Sequence, residues 1–253
     1  MTRCRYPQAA ARSLLVAAVW VFCGAVAAAD YAEERAQLIE DIRDRADYAK
    51  ALGLDVPELD ARVLEAMERV PRHEFVPRSV RGMAYEDRPL SIGSGQTISQ
   101  PFIVALMTTL LNPAPDDRVL EVGTGSGYQA AVLAEVTGTV YTIELVAELA
   151  RTAKMRLDRL DYDNIRVRAG NGYNGWPEAA PFDKIIVTAG ADAIPPKLLE
   201  QLKSGGRMVI PVGTGGTEQL TLVTKDKTGR ITREELMAVQ FVPLIPPDDE
   251  KAD

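Results

Sequence analysis

The 253-residue chain has only two cysteines and one histidine. Both cysteines, Cys4 and Cys23, lie in the first thirty positions, so a protein beginning at Asp30 has no thiol at all. Disulfides, thiolate catalysis and zinc–cysteine centres are thereby excluded from the remainder. His73 alone is a poor kit for histidine acid–base relays, and no metal site is expected. No apolar run reaches the ~20 residues that a membrane-spanning helix needs. Internal repeats are missing, and the one biased tract is the short acidic tail "PPDDEKAD". Basic residues are outnumbered 29 to 36 by acidic ones, which argues against a nucleic-acid groove.

The chain opens with "MTRCRYPQAAARS", three arginines without an acid, then the apolar "LLVAAVWVFCGAV" and the small residues "AAA". A basic start, a short apolar run and an Ala-x-Ala end describe a secretory signal peptide over residues 1–29, cleaved after Ala29. Phe22 is too large for the position before a lipid-modified Cys23. An uncleaved signal anchor is the rival. Cleavage leaves 26 basic and 36 acidic residues, a net charge of −10. The expectation is an exported, periplasmic monomer with no stable membrane association. Without a working leader it would stay cytoplasmic.

Residues 30–253 are long enough for one α/β domain with a full core. In "AEERAQLIEDIRDRADYAKALG", Leu38, Ile42 and Ala46 recur every four residues, which predicts a helix ended by Gly53. "VPELDARVLEAMERV" predicts a second helix with Pro57 early and Leu59, Val63 and Met67 on one face. "PRHEFVPRSVRGMAYEDRPL" is proline-punctuated and reads as an extended connector, completing a helical N-terminal extension over 30–90.

From Arg118 the rhythm changes. "RVLEV", "TVYTIEL", "NIRVRAG", "FDKIIVTAG" and "GRMVIPVG" read as strands, with "YQAAVLAEV", "VAELARTAKMRLDRL" and "PPKLLEQLK" as helices between them. Such alternation predicts a doubly wound, mostly parallel sheet, a Rossmann-like core over 91–245. "QLTLVTKD" and "ITREELMAVQFVPLI" close it as two β-rich segments around a turn at Lys227–Gly229. The acidic tail occupies 246–253.

"EVGTGSG" puts Gly123, Gly125 and Gly127 between a strand and a helix. The spacing G-x-G-x-G differs from the G-x-G-x-x-G of dinucleotide binders. Glu121, directly before it, would repel a pyrophosphate but suits a cation, and S-adenosyl-L-methionine carries a sulfonium and an ammonium. Glu144 ends the next strand, where an acid bonds ribose hydroxyls. Asn171 and Gly172, ending the third, are placed for the adenine edge. Taken singly, either glutamate could be only a solvated strand end.

At this point "VPRHEFVP", "AYEDRPLSIGSGQTISQPFIVALM", "VLEVGTGSGYQAAVLA", "PFDKIIVTAGA", "LKSGGRMVIPVG" and "EQLTLVTKD" together resemble the protein-L-isoaspartate O-methyltransferase family, from about His73 to Asp226. The resemblance implies methyl transfer from S-adenosyl-L-methionine to the free α-carboxylate of L-isoaspartyl residues in damaged proteins and peptides. The ester then closes to a succinimide, whose hydrolysis returns some normal aspartate. The resemblance marks Ser99 as catalytic and puts "GQTISQP" over the cofactor, with Thr97 and Gln100 in the same wall. It also brings Thr188, Ala189, Gly190 and Gln219 to the substrate. Ser99 could also be the N-cap of the helix after it. His73 is read as structural and Trp176 as a packing residue. Asn171 stands where the family usually has aspartate, Ser94 where it has an aromatic, and Gly190 where it has alanine. A binding module without turnover, or a methyltransferase for another carboxylate, stays open on the residues alone.

Overall fold

Arg118–Val122 is buried at every position after the first, and this strand is the middle one of the five parallel strands of the sheet. In the computed structural model the described residues are Met1, 31–214 and 216–247. The chain divides into two compact units, Met1–Tyr31 and Ala32–Asp253. The leader read over residues 1–29 lies outside the described residues, as does the end of the acidic tail.

The second unit begins with α1 (Ala32–Ala51) and α2 (Ala61–Arg69). Leu38, Ile39, Ile42, Ala46 and Ala49 are the buried residues of α1, in keeping with the four-residue spacing. In α2 the sequence places the start too early. Asp60 is the N-cap, its side chain accepting from the Arg62 N–H at 2.9 Å, and Pro57 lies outside the helix. The connector is not extended either. Arg72–Phe75 and Arg78–Met83 are 3-10 turns, each entered directly after a proline. A short antiparallel ribbon follows, β1 (Leu90–Gly93) and β2 (Gln96–Ile98), so the stretch "SIGSGQTI" is a hairpin.

Helix α3 (Pro101–Leu111) is apolar nearly all round and buried accordingly, between α1 and α2 on one side and the sheet on the other. The sheet comprises β3 (Arg118–Val122), β4 (Thr139–Glu144), β5 (Ile165–Ala169), β6 (Phe182–Val187), β7 (Leu202–Val212), β8 (Glu218–Lys225) and β9 (Ile231–Val239). Helices α4 (Tyr128–Ala134), α5 (Ala147–Arg159) and α6 (Pro196–Gln201) connect the parallel part.

The spatial order is β5-β4-β3-β6-β7-β8-β9, with β8 and β9 antiparallel to their neighbours. From β3 the chain winds outward through β4 to β5, then returns to lay β6 on the other side of β3. The winding direction therefore reverses between β3 and β6. Ligands of open α/β sheets bind at that reversal, off the carboxyl ends of the strands. Leu120, Val122, Ile185, Val187, Met208 and Ile210 form the core below it. Burying each such side chain stabilises the fold by about 1.5–3 kcal/mol before entropy is counted. A stiff floor thus holds the loops above.

Among the described residues no helix is long and apolar enough to cross a membrane.

Candidate active site

The carboxyl ends of β3 and β6 are tied at the backbone: the Thr188 N–H donates to the Val122 carbonyl at 2.9 Å. The Thr188 hydroxyl also donates towards the carbonyls of Val122 and Gly123, at 3.0 and 2.8 Å. Gly123 has a φ of 102°, and a Cβ there would stand 2.4 Å from Thr188 Oγ1. Only glycine lets the loop cross this close to β6. Gly127, with a φ of 91°, is the N-cap of α4.

Above these loops is a cavity of about 180 Å³. Of the residues singled out in the sequence, Thr97, Ser99, Gly123, Gly125, Glu144, Asn171, Gly172, Thr188 and Ala189 line it. Glu144 fixes the glycine loop: its Oε2 accepts from the Gly125 N–H at 2.8 Å and its Oε1 from the Val146 N–H at 2.9 Å. Each oxygen keeps a further lone pair for a ligand hydroxyl. Asn171 Oδ1 accepts from the Tyr173 N–H at 3.0 Å, capping a 3-10 turn, which leaves its amide N–H groups and one lone pair. At Gly172 a Cβ would meet Val122 Cγ1 at 2.4 Å, so the chain there lies flat on β3.

Glu121 is elsewhere. It is fully enclosed under the glycine loop and is not part of the cavity wall. Its Oε2 accepts from Thr142 Oγ1 at 2.5 Å, and Thr142 in turn shares a 2.6 Å hydrogen bond with Thr124, which does line the cavity. Oε1 has no hydrogen-bond partner. Burial, with the nearby Glu144 charge, pushes the Glu121 carboxyl up to about 8, against the opposing Thr142 bond.

A second cavity, about 440 Å³, opens beside the first. Thr97, Ser99, Thr188 and Val242 line both. Gln100 lines only the second, and Asp87 Oδ2 accepts from its Nε2 at 2.8 Å. Ser99 does not cap α3. The N-cap is Gln100, and Asp87 Oδ1 reaches in to accept from the Phe102 N–H at 2.8 Å. No hydrogen bond among the described residues engages the Ser99 hydroxyl. It stands free in the partition between two cavities.

Gly190 and Gln219 line neither cavity. Gly190 pairs with the returning chain, donating to the Val242 carbonyl at 2.8 Å and accepting from the Leu244 N–H at 2.7 Å. A Cβ on Gly190 would meet Glu218 Oε1 at 2.7 Å, so glycine instead of alanine goes with the buried Glu218 beside it. Gln219 sits in β8 opposite Val212 and Ala238. Ser94 occupies the tip of the β1–β2 hairpin with a φ of 53° and lines neither space.

His73 hydrogen-bonds Tyr85 at 2.7 Å, and burial lowers its pKa, which suits a structural residue. Trp176 packs edge-on against Tyr141 at 5.4 Å, outside the cavity. The sequence reading missed Ser126, Gln129, Leu145, Val146 and the stretch Val242–Ile245 as cavity residues. The first four flank motifs already recognised, whereas Val242–Ile245 carries no local signal beyond its apolarity.

Comparison with known proteins agrees with this architecture. The sequence profile of the family protein-L-isoaspartate(D-aspartate) O-methyltransferase matches residues 56–248. A protein-L-isoaspartate O-methyltransferase 2 of Syntrophobacter fumaroxidans is 57% identical over 224 residues, 87% of this chain and 90% of the relative. One from Cupriavidus necator is 50% identical over 236 residues, 92% of this chain and 91% of its own. A Plasmodium falciparum structure described as a beta-aspartate methyltransferase in complex with S-adenosyl-L-homocysteine superimposes with a TM-score of 0.69 at 28% identity. It covers 83% of this chain and 97% of its own. With a profile match over most of its length, close relatives along nearly all of it and the sheet order to go with them, the chain belongs to the protein-L-isoaspartate(D-aspartate) O-methyltransferase family.

Proposed function

We propose that this protein methylates the free α-carboxylate of L-isoaspartyl residues in proteins and peptides, with the partition between the two cavities as its reaction centre. The observation that carries the assignment of roles is that Thr97, Ser99 and Thr188 face both spaces. The residues of the smaller cavity suit the cofactor. Glu144 offers lone pairs to ribose hydroxyls, Asn171 and Gly172 flank the place for the base, and the glycine loop admits a ligand against bare backbone. When bound, S-adenosyl-L-methionine supplies an electrophilic methyl group on a sulfonium. Glu121 acts on that side from beneath the loop, through Thr142 and Thr124, not by contact.

The larger cavity takes the substrate chain. Its carboxylate, with a reference pKa near 3.5, is already ionised at neutral pH, so no general base is required. This matches a chain whose single imidazole, His73, lines neither cavity and is hydrogen-bonded to Tyr85. The free Ser99 hydroxyl donates to the carboxylate and holds one oxygen towards the cofactor side, and Thr97 and Thr188 complete the aperture. Gln100, held by Asp87, shapes the substrate wall. Gly190 and Gln219 bear on the substrate only indirectly, by seating the β8 side and the returning chain. Alignment alone is worth about 7–11 kcal/mol of barrier in well-oriented reactions.

The test is incubation of purified residues 30–253 with labelled cofactor and paired peptides differing only in Asp or isoAsp. Label on the isoAsp peptide alone is expected. Label on both peptides, or on neither, overturns the assignment.

We further propose that residues 1–29 export the protein and that it acts as a monomer outside the cytosol. The support is the basic, apolar and small-residue order of that segment. Fusing residues 1–29 to a reporter active only outside the cytosol should give activity, and a silent fusion would refute export.

A further inference from the structure

The larger cavity is mostly apolar, and one of its walls comes from outside the segment that matches the family. Residues 56–248 carry that match, while Arg45, Tyr48, Ala49, Leu52 and Leu54 precede it and all line the groove. Helix α1 has its buried stripe at Leu38, Ile39, Ile42, Ala46 and Ala49, of which Ala49 alone also lines the groove. Tyr48 in α1 and Leu52 in the turn directly after it, whose N–H donates to the Tyr48 carbonyl at 3.1 Å, remain 60% and 62% exposed. They contribute little to the core, yet they present two large apolar side chains to the groove. Phe102, Ile103, Met237 and Phe241 line the same groove.

Charge is nearly missing from this lining. Among the described residues Arg45 is the one charged side chain of this lining, and its Nε is 3.3 Å from Asp87 Oδ2, so the guanidinium is already paired. The groove runs continuously into the Ser99 partition through shared residues. Any chain that brings a carboxylate to Ser99 from this side must lay its neighbouring residue against these side chains.

We infer that the protein selects isoaspartyl residues whose immediate neighbour is large and apolar, and that the end of α1 and the turn after it, through Tyr48 and Leu52, set this preference. The inference rests on the isoaspartyl reading above. An apolar neighbour removes its own surface and that of Tyr48 and Leu52 from water, whereas a charged or small one gains no comparable burial.

The experiment uses peptides with a fixed isoaspartyl residue and either leucine, serine or glutamate on each side in turn. Methylation is read as KM and kcat, and binding of the same peptides is read by calorimetry with S-adenosyl-L-homocysteine present. Leucine on at least one side should lower KM and Kd about tenfold relative to serine, with kcat little changed. In the double variant Tyr48→Ser, Leu52→Ser the leucine-to-serine ratio should fall to near one. Unchanged melting temperature would confirm that these exposed substitutions leave the fold intact. Equal KM and Kd for all neighbours overturns the inference, as does a preference that survives in the double variant. Absence of label from every isoaspartyl peptide would instead sink the catalytic reading, and the calorimetric ratio would still decide the groove.

Discussion

The Arg72 guanidinium, fully enclosed, donates through Nη2 to the Ser99 carbonyl at 2.8 Å. Through Nε it donates to the Ala84 carbonyl, also at 2.8 Å, and its Cζ lies 4.7 Å from the centre of the Tyr128 ring. Burial disfavours the charge and lowers its pKa, with the Tyr128 hydroxyl opposing. One rigid fork thus fixes the backbone of the residue whose hydroxyl faces both cavities. In Arg72→Lys a single ammonium cannot reproduce the fork. Each carbonyl left unpaired should cost about 1–3 kcal/mol of stability. Because the strain falls on the Ser99 backbone, kcat should drop while affinity for S-adenosyl-L-homocysteine holds. Steady-state kinetics beside a calorimetric titration separates the two, and equal losses in both would argue for general unfolding.

Ser99→Ala removes a hydroxyl with no structural bond to lose, so the melting temperature should stay put. A hydrogen bond to a charged group is worth about 1.5–3 kcal/mol, which corresponds to a fall in kcat/KM of roughly ten- to a hundred-fold. Undiminished turnover by the alanine variant would remove Ser99 from the reaction.

At Asn171 the side-chain oxygen already accepts from the Tyr173 N–H, leaving one lone pair to face a base amino group. A carboxylate makes stronger bonds to both donors. Asn171→Asp should therefore tighten S-adenosyl-L-homocysteine binding several-fold by calorimetry. Unchanged or weaker binding would mean that the residue does not meet the base.

Glu121 titrates at about 8 in the folded protein, against an ordinary value of 4.5. Between those values the folded state holds a proton that the unfolded chain has released. Its contribution is therefore greatest below pH 4.5, declines as pH rises through the window, and levels off above about 8. Glu121→Gln keeps the shape without the titration. Relative to the parent it should gain stability from pH 5 to pH 8, as read by denaturant midpoints across that range. Parallel pH profiles would show that the carboxyl is not buried neutral.

The parallel strands were legible because each is a short apolar run bounded by glycine or a charge, whereas the reversal between β3 and β6 was not, because strand order rests on pairings between distant segments. The glycine loop, Glu144 and Ser99 were legible as motifs. Glu121 was legible as a residue but not as a depth. Whether a strand-end carboxylate points up into the ligand space or down under the loop depends on side-chain direction along β3, which its neighbours in sequence do not fix. The 3-10 turns at Arg72–Phe75 and Arg78–Met83 were hidden by their prolines, which forbid long helices but permit single turns. The role of Arg72 depends on carbonyls 12 and 27 residues away, and no local pattern announces such a partner.

Val242–Ile245 runs past the last strand, crosses Gly190 and supplies a wall of the smaller cavity. The seven strands described for the sheet end by Val239, so that wall lies outside the sheet's own ladders. Loosening the pairing of Gly190 with Val242 and Leu244 would therefore open the smaller cavity from the side while leaving the ladders of the sheet untouched.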